Sequence, residues 1–244
     1  MQNFIYNQAI EFVFIHIIAF LEGLLVVHLH WKVNYTRKVN HFFVFASPYI
    51  IKIFFPFKET LYTQIAIAIV GLMTLLIYLK PIRTNIKVVG LMFTAFDRPE
   101  DRPHTLKWLF TQYLATYLVA LPLWFLFNYM NHTEAILIII LINAIGDGLA
   151  EPVGITWGKN KYAVKALFTS TFYTRSLQGS ACVFVVALAV IIGFYHTFTT
   201  SQFITALLLI PITATLAEAK SPHTWDSPFI FLFTGLGLLL VYMI

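Results

Sequence analysis

The chain is 244 residues long, 59% hydrophobic and only 11% charged, with a mean hydropathy of +0.78. A soluble domain of this composition would lack the polar surface needed to face water, so the chain reads as a polytopic integral membrane protein. Its formal net charge of +5 is accounted for by basic cytoplasmic connections and does not call for nucleic acid as a partner, while the single cysteine, Cys182, leaves no disulfide framework or thiolate metal site to build.

In chain order, apolar spans are predicted at about 4–27, 42–56, 62–79, 108–129, 135–149, 177–197, 203–219 and 228–244, against the roughly 20 residues a helix needs to cross a bilayer. The expectation is an all-α, polytopic helical bundle of about seven or eight transmembrane helices forming a single integral membrane domain over residues 1–244. Met1-Gln2-Asn3 carries no basic n-region and the following apolar run exceeds a signal core, so the first span is expected to remain as a helix. Within it Glu11, His16 and Glu22 are costly in lipid, and Glu11 and Glu22 fall on nearly one helical face, which should turn into the bundle and is placed to meet a substrate hydroxyl.

The connection at 28–41 holds Lys32, Arg37 and Lys38, with His41 beside the last two in TRKVNHFF. The stretch 86–96, IKVVGLMFTAF, is too short to span and reads as interfacial or re-entrant. The loop 96–107 carries three acids and three cations, stiffened by Pro99 and Pro103, and mutual ion pairing is its expected role. Connections 80–107, 158–176 and 219–227 are also basic, whereas 130–134 and 198–202 hold no Lys or Arg. The positive-inside rule therefore places the basic connections in the cytoplasm and both termini outside, with Lys52 and Lys58 as the exceptions among the 16 cations.

Chemistry concentrates in LINAIGDGLAEPVGITWGKNKYAVKALFTSTFYTRSLQGS, residues 141–180. Asp147 and Glu151 are four apart, so a helix continuing through GDGLAE projects both from one face. Hard divalent cations, Mg2+ above all, are held by one or two carboxylates together with phosphate and water, which suits this pair; two solvated acids on a fraying helix end is the alternative. Gly154 and Gly158 permit close backbone approach, and Lys159, Lys161, Lys165 and Arg175 are able to neutralise a polyphosphate, although topology alone also calls for basic loops here. Ser176-Leu177-Gln178-Gly179-Ser180 opens the next apolar span, where free helix N–H groups favour phosphate. A further polar cluster, Glu218 to Asp226, occupies the last cytoplasmic loop.

GDGLAEPVG followed by WGKNKY and then TRSLQGS, all within residues 145–180, resembles the CTP-dependent polyprenol, phytol, dolichol and diacylglycerol kinases, a group similar to the phosphatidate cytidylyltransferases. The resemblance extends to Arg37 and His41, matching an early Arg-Lys…His element, and to Glu218…Asp226, matching a late Glu…Asp element. It implies a membrane-embedded kinase, its active site on the cytoplasmic side, that uses CTP and Mg2+ to phosphorylate a lipid alcohol. It further implies Asp147 and Glu151 as metal ligands, and Arg37, His41, Gly154, Gly158, Lys159, Lys161, Arg175, Gly179 and Ser180 around the nucleotide. Asp147, with Glu218 or Asp226 as base or second metal contact, would be catalytic. Two departures stand out: Gln178 replaces the family's usual Glu, so it cannot act as base or ionised metal ligand, and Arg175 stands where Lys is frequent. The competing readings are CDP-lipid synthesis by attack on the α-phosphate, and a non-enzymatic transporter using intramembrane carboxylates.

Overall fold

The computed structural model describes residues 2–244. Each predicted apolar span forms a helix. α1 (Gln2–Leu29), α2 (Val33–Phe54), α3 (Leu61–Leu76), α4 (Lys80–Asn85) and α5 (Lys87–Thr94) lead into α6 (Thr105–Tyr129). After α7 (Glu134–Leu141), a π-helical turn (Ile142–Asp147) and α8 (Gly148–Trp157) come strands β1 (Lys161–Lys165) and β2 (Phe172–Ser176), then α9 (Leu177–Gly193), α10 (Thr200–Lys220) and α11 (Asp226–Tyr242). Among the described residues four helical stretches are long and apolar enough to cross a membrane: Gln2–Leu29, Thr105–Tyr129, Glu134–Trp157 and Thr200–Lys220. Leu61–Leu76, Leu177–Gly193 and Asp226–Tyr242 are apolar but shorter.

The chain folds as two compact units, one ending at Leu114 and one running from Ala115 to Ile244. In the first, α1 packs against α2, α3 and α5. Gly23 makes the α1–α5 approach possible, since a Cβ there would lie 2.2 Å from the Leu91 carbonyl oxygen. At eight residues α5 is too short to span. As expected of an acid in an apolar helix, Glu22 is buried, together with His16 and Ala19, whereas Glu11 is only partly covered. The loop after α5 closes on its own charges: Arg98 pairs with Asp101 at 2.7 Å, and Asp97 accepts from Arg102 at 2.8 Å and from Thr105 at 2.7 Å.

In the second unit α9, α10 and α11 pack together and the π turn lies against α9 and α11. α10 shows how an apolar helix divides its surface: Ala206, Ile210, Ala214 and Ala217 are buried while Ile204, Leu208, Ile212 and Leu216 remain exposed. Apart from Ile210, small residues face the neighbouring helices and large aliphatic ones point outward, the pattern of a helix with lipid on one side.

Three expectations are corrected. Residues 158–176, expected as a basic connection, carry a small two-stranded sheet in an otherwise helical chain: β1 and β2 form an antiparallel hairpin with Tyr162 opposite Arg175 and Lys161 opposite Ser176. The alternation of Tyr162, Val164, Tyr173 and Arg175 with outward residues is the strand signal that the lysine count obscured. Arg37, Lys38 and His41 belong to the first turns of α2 and not to a 28–41 loop, because helix begins at Val33 and Thr36 is buried with its hydroxyl donating to the Ala95 carbonyl at 2.7 Å. Glu218 and Asp226 likewise leave the loop assigned to them: Glu218 lies in the last turn of α10 and Asp226 opens α11.

Candidate functional site

The site is built on the π turn. Helices widen to π geometry over short stretches, frequently where function demands it, and here the widening covers Ile142-Asn143-Ala144-Ile145-Gly146-Asp147. Asn143 and Asp147 are buried by it. The backbone then continues as α8, so Glu151 follows Asp147 by about one turn and is half-buried.

A glycine seam brings α8 onto the β2–α9 corner. A Cβ at Gly154 would lie 2.9 Å from Ser176 Oγ, one at Gly158 2.1 Å from the Gly154 carbonyl and 2.8 Å from Ser176, and one at Gly179 2.6 Å from the Ala150 carbonyl. The room these residues create is thus filled by protein. Ser176 is the N-cap of α9, and its Oγ accepts the Gly179 N–H at 3.1 Å, which occupies one of the first-turn donors expected to be free. Gln178 Oε1 accepts the backbone N–H groups of Lys159 and Asn160 at 3.1 and 3.3 Å. At this position the chain needs an acceptor, which an amide oxygen supplies as well as a carboxylate.

The hairpin sorts the cations by face. Lys161 and Lys165 alternate outward and are exposed, as is Lys159 in the preceding turn, whereas Tyr162 and Arg175 share the opposite, inner face. Arg175 there donates to the Glu218 carbonyl, to Ser221 Oγ at 3.0 Å and to Asp226 Oδ1, with its Nη1 3.8 Å from Glu218 Oε1. Ser221 Oγ also donates to Asp226 Oδ1 at 2.6 Å. Burial works against the charged guanidinium, but the charges of Asp226 and Glu218, with Tyr162 and Asp147 adding, outweigh it and hold Arg175 above the ordinary arginine value. Tyr162 hydrogen-bonds Ser180 Oγ at 2.6 Å. Burial first, then the charge of Glu218, pushes its phenol above the usual tyrosine range.

Arg175, Glu218 and Asp226, predicted from separate stretches, are therefore brought together by β2, α10 and α11, with Ser180 of α9 joined to Tyr162 on the same inner face as Arg175 and the π turn that carries Asp147 packed against α9 and α11. Arg37 and His41 lie on α2 of the first unit, where the His41 ring packs 4.9 Å from Phe45. Tyr162 and Ser221 were missed as site residues. Ser221 sat in a recognised polar run, but its bond to Asp226 depends on how α10 meets α11; Tyr162 needed the hairpin register.

Among the described residues no three His, Cys, Asp or Glu side chains are placed as a metal cage, but Mg2+ prefers one or two carboxylates completed by phosphate and water. Asp147 and Glu151, one helical turn apart, are two carboxylates of that kind, whereas Glu218 and Asp226 are already paired with Arg175. Comparison with protein-family models, with curated proteins and with solved structures gives no match.

Proposed function

We propose that the protein is a membrane-embedded kinase that transfers the γ-phosphate of CTP to a lipid alcohol, with seven or eight membrane spans and its site on the cytoplasmic side. The observation that carries the reading is the convergence of Asp147, Arg175, Ser180, Glu218 and Asp226 from five separate elements. The choice of CTP and of a polyprenol, phytol-like or diacylglycerol acceptor rests on the resemblance of GDGLAEPVG, WGKNKY and TRSLQGS, joined by Arg37 and His41.

In this reading Asp147 and Glu151 would hold Mg2+, which would offset the charge of the transferring phosphoryl group. Phosphoryl transfer chiefly requires positioning and charge neutralisation; exposed Lys159, in the turn before β1, and Lys161, on the outer face of the hairpin, are the cations for the phosphates, while Arg175 on the inner face holds Glu218 and Asp226. A carboxylate of the Glu218–Asp226 pair takes the alcohol proton.

The test is incubation of the purified protein with Mg2+, γ-labelled CTP and a panel of lipid alcohols. Label entering the lipid phase, abolished by Asp147→Asn in a variant that still folds, is the expected result. Full activity in that variant would remove the central claim. Entry of α-labelled CTP into lipid on supplying phosphatidate would instead establish CDP-lipid synthesis.

A further inference from the structure

From Thr60 to Phe96 the chain carries no acidic residue and three cations, Lys80, Arg83 and Lys87. All three sit on α4 and α5, which at six and eight residues are too short to cross a bilayer. α5 is held to α1 where Gly23 meets Leu91, and α4 meets α5 at Gly90, where a Cβ would lie 2.7 Å from the Arg83 carbonyl oxygen. Lys80 and Arg83 are three apart on one face of α4, and Lys87 opens α5. Lys80 and Lys87 are exposed, and so are their apolar neighbours Leu79, Ile86 and Val88. Exposed aliphatic residues interleaved with cations on short helices are the composition of segments that lie in a headgroup layer.

Arg83 shows what this patch lacks. Its guanidinium sits 3.7 Å from the centroid of the Phe93 ring, which fixes the half-buried side chain in place. Nη1 is shielded from water yet donates to nothing among the described residues. Neither Arg83 nor the two lysines forms an ion pair among the described residues. A guanidinium held on a ring beside two exposed lysines, with no carboxylate near it in the chain, leaves the acceptor to come from outside the protein.

We propose that Lys80, Arg83 and Lys87 bind the phosphate of an anionic phospholipid, with Arg83 as the fixed fork, the lysines as flexible charges, and the acyl chains lying along Leu79, Ile86 and Val88. Three positive charges with no acid among them favour a headgroup of net negative charge over a zwitterionic one, whose own cation they repel. The planar fork matches a pair of phosphate oxygens. The exposed aliphatic side chains select a lipid as the source, because a soluble anion would leave them uncovered. The site lies in the first unit and uses no residue given a nucleotide or metal role, so it is independent of the kinase reading.

Native mass spectrometry of the full-length protein in detergent, titrated with dioleoylphosphatidylglycerol, dioleoylphosphatidylcholine or inorganic phosphate, tests the site. Phosphatidylglycerol should bind about tenfold or more tightly than phosphatidylcholine, and inorganic phosphate should not displace it. Lys80→Gln combined with Lys87→Gln should weaken phosphatidylglycerol binding about 25-fold, about fivefold for each charge removed near the headgroup. Arg83→Gln should weaken it about 10- to 100-fold, and Arg83→Lys less, because the charge survives while the fork is lost. Lys58→Gln removes an exposed cation of the same unit outside the site and should change nothing. Arg83→Gln also removes the contact with Phe93, so the lysine pair, confined to exposed side chains, decides the matter where that variant does not fold. Equal binding of the two lipids, undiminished binding in the lysine pair, or a matching loss in Lys58→Gln would overturn the site. Displacement of phosphatidylglycerol by inorganic phosphate would overturn the lipid as its ligand in favour of a soluble phosphate. Transfer of label from CTP is not read in this experiment, so its outcome leaves the kinase reading to its own test.

Discussion

Replacing Arg175 by Gln should destabilise the second unit more than any surface change. The arginine side chain is 12% exposed and bonds the Glu218 carbonyl, Ser221 and Asp226, whose own side chain is 13% exposed. Glutamine removes the positive charge and strands the carboxylates of Glu218 and Asp226 next to Asp147. Breaking a buried pair by deleting one partner costs about 3–5 kcal/mol, because the remaining charge stays desolvated and uncompensated. For a chain of this size that corresponds to a fall in unfolding temperature of roughly 6–20 °C, readable by thermal unfolding in detergent. Arg175→Lys keeps the charge but loses the planar fork, so it should lie between, at about 1–2 kcal/mol. Adding Glu218→Gln and Asp226→Asn to Arg175→Gln should recover at least half of the lost stability, since the stranded charges are gone. A loss below about 1 kcal/mol in the single variant, or a triple variant no more stable than the single, would refute the account of Arg175 as the counter-charge of the cluster.

The glycine seam makes a steric prediction: Gly158→Ala places a Cβ 2.1 Å from the Gly154 carbonyl and should cost about 1–3 kcal/mol by overpacking, whereas Gly193→Ala, with nothing within 4 Å of its Cβ, should be neutral or stabilising by thermal unfolding. Gln178→Glu preserves the acceptor for Lys159 and Asn160 and should leave stability within about 0.5 kcal/mol. Gln178→Leu removes that acceptor, and faster amide hydrogen exchange at 159 and 160 is the expected signature; unchanged exchange there would contradict the tether. In the first unit Gly23→Val meets the Leu91 carbonyl and should free α5 from α1, seen as new proteolytic cleavage between Lys80 and Thr94.

The helices and one part of the candidate site were legible from the sequence because both depend on local geometry. The eight apolar runs became helical because a helix satisfies its own backbone where apolar side chains leave no water to do so, and four helical stretches are long and apolar enough to cross a membrane. The helix continues through GDGLAE, as the spacing of Asp147 and Glu151 requires, with a π turn ending at Asp147 that the spacing did not reveal. The hairpin was present in the alternation of residues 161–165 and 172–176, but five-residue strands carry little periodic signal beside a conspicuous set of lysines.

Pairing was not legible. Composition and spacing determined that the chain is apolar enough for a membrane, where its helices run, and which stretch gathers carboxylates, glycines and cations. Only the tertiary structure decided that Arg175 turns away from Lys161 to meet residues 43 and 51 positions later, that Gly154, Gly158 and Gly179 are occupied by their own chain, and that Glu218 keeps one oxygen unpaired where Asp226 does not. The reason is one of range: backbone periodicity is set by the nearest few residues, whereas the partner of a buried charge is set by which distant elements pack around it, and no spacing along the chain encodes that distance.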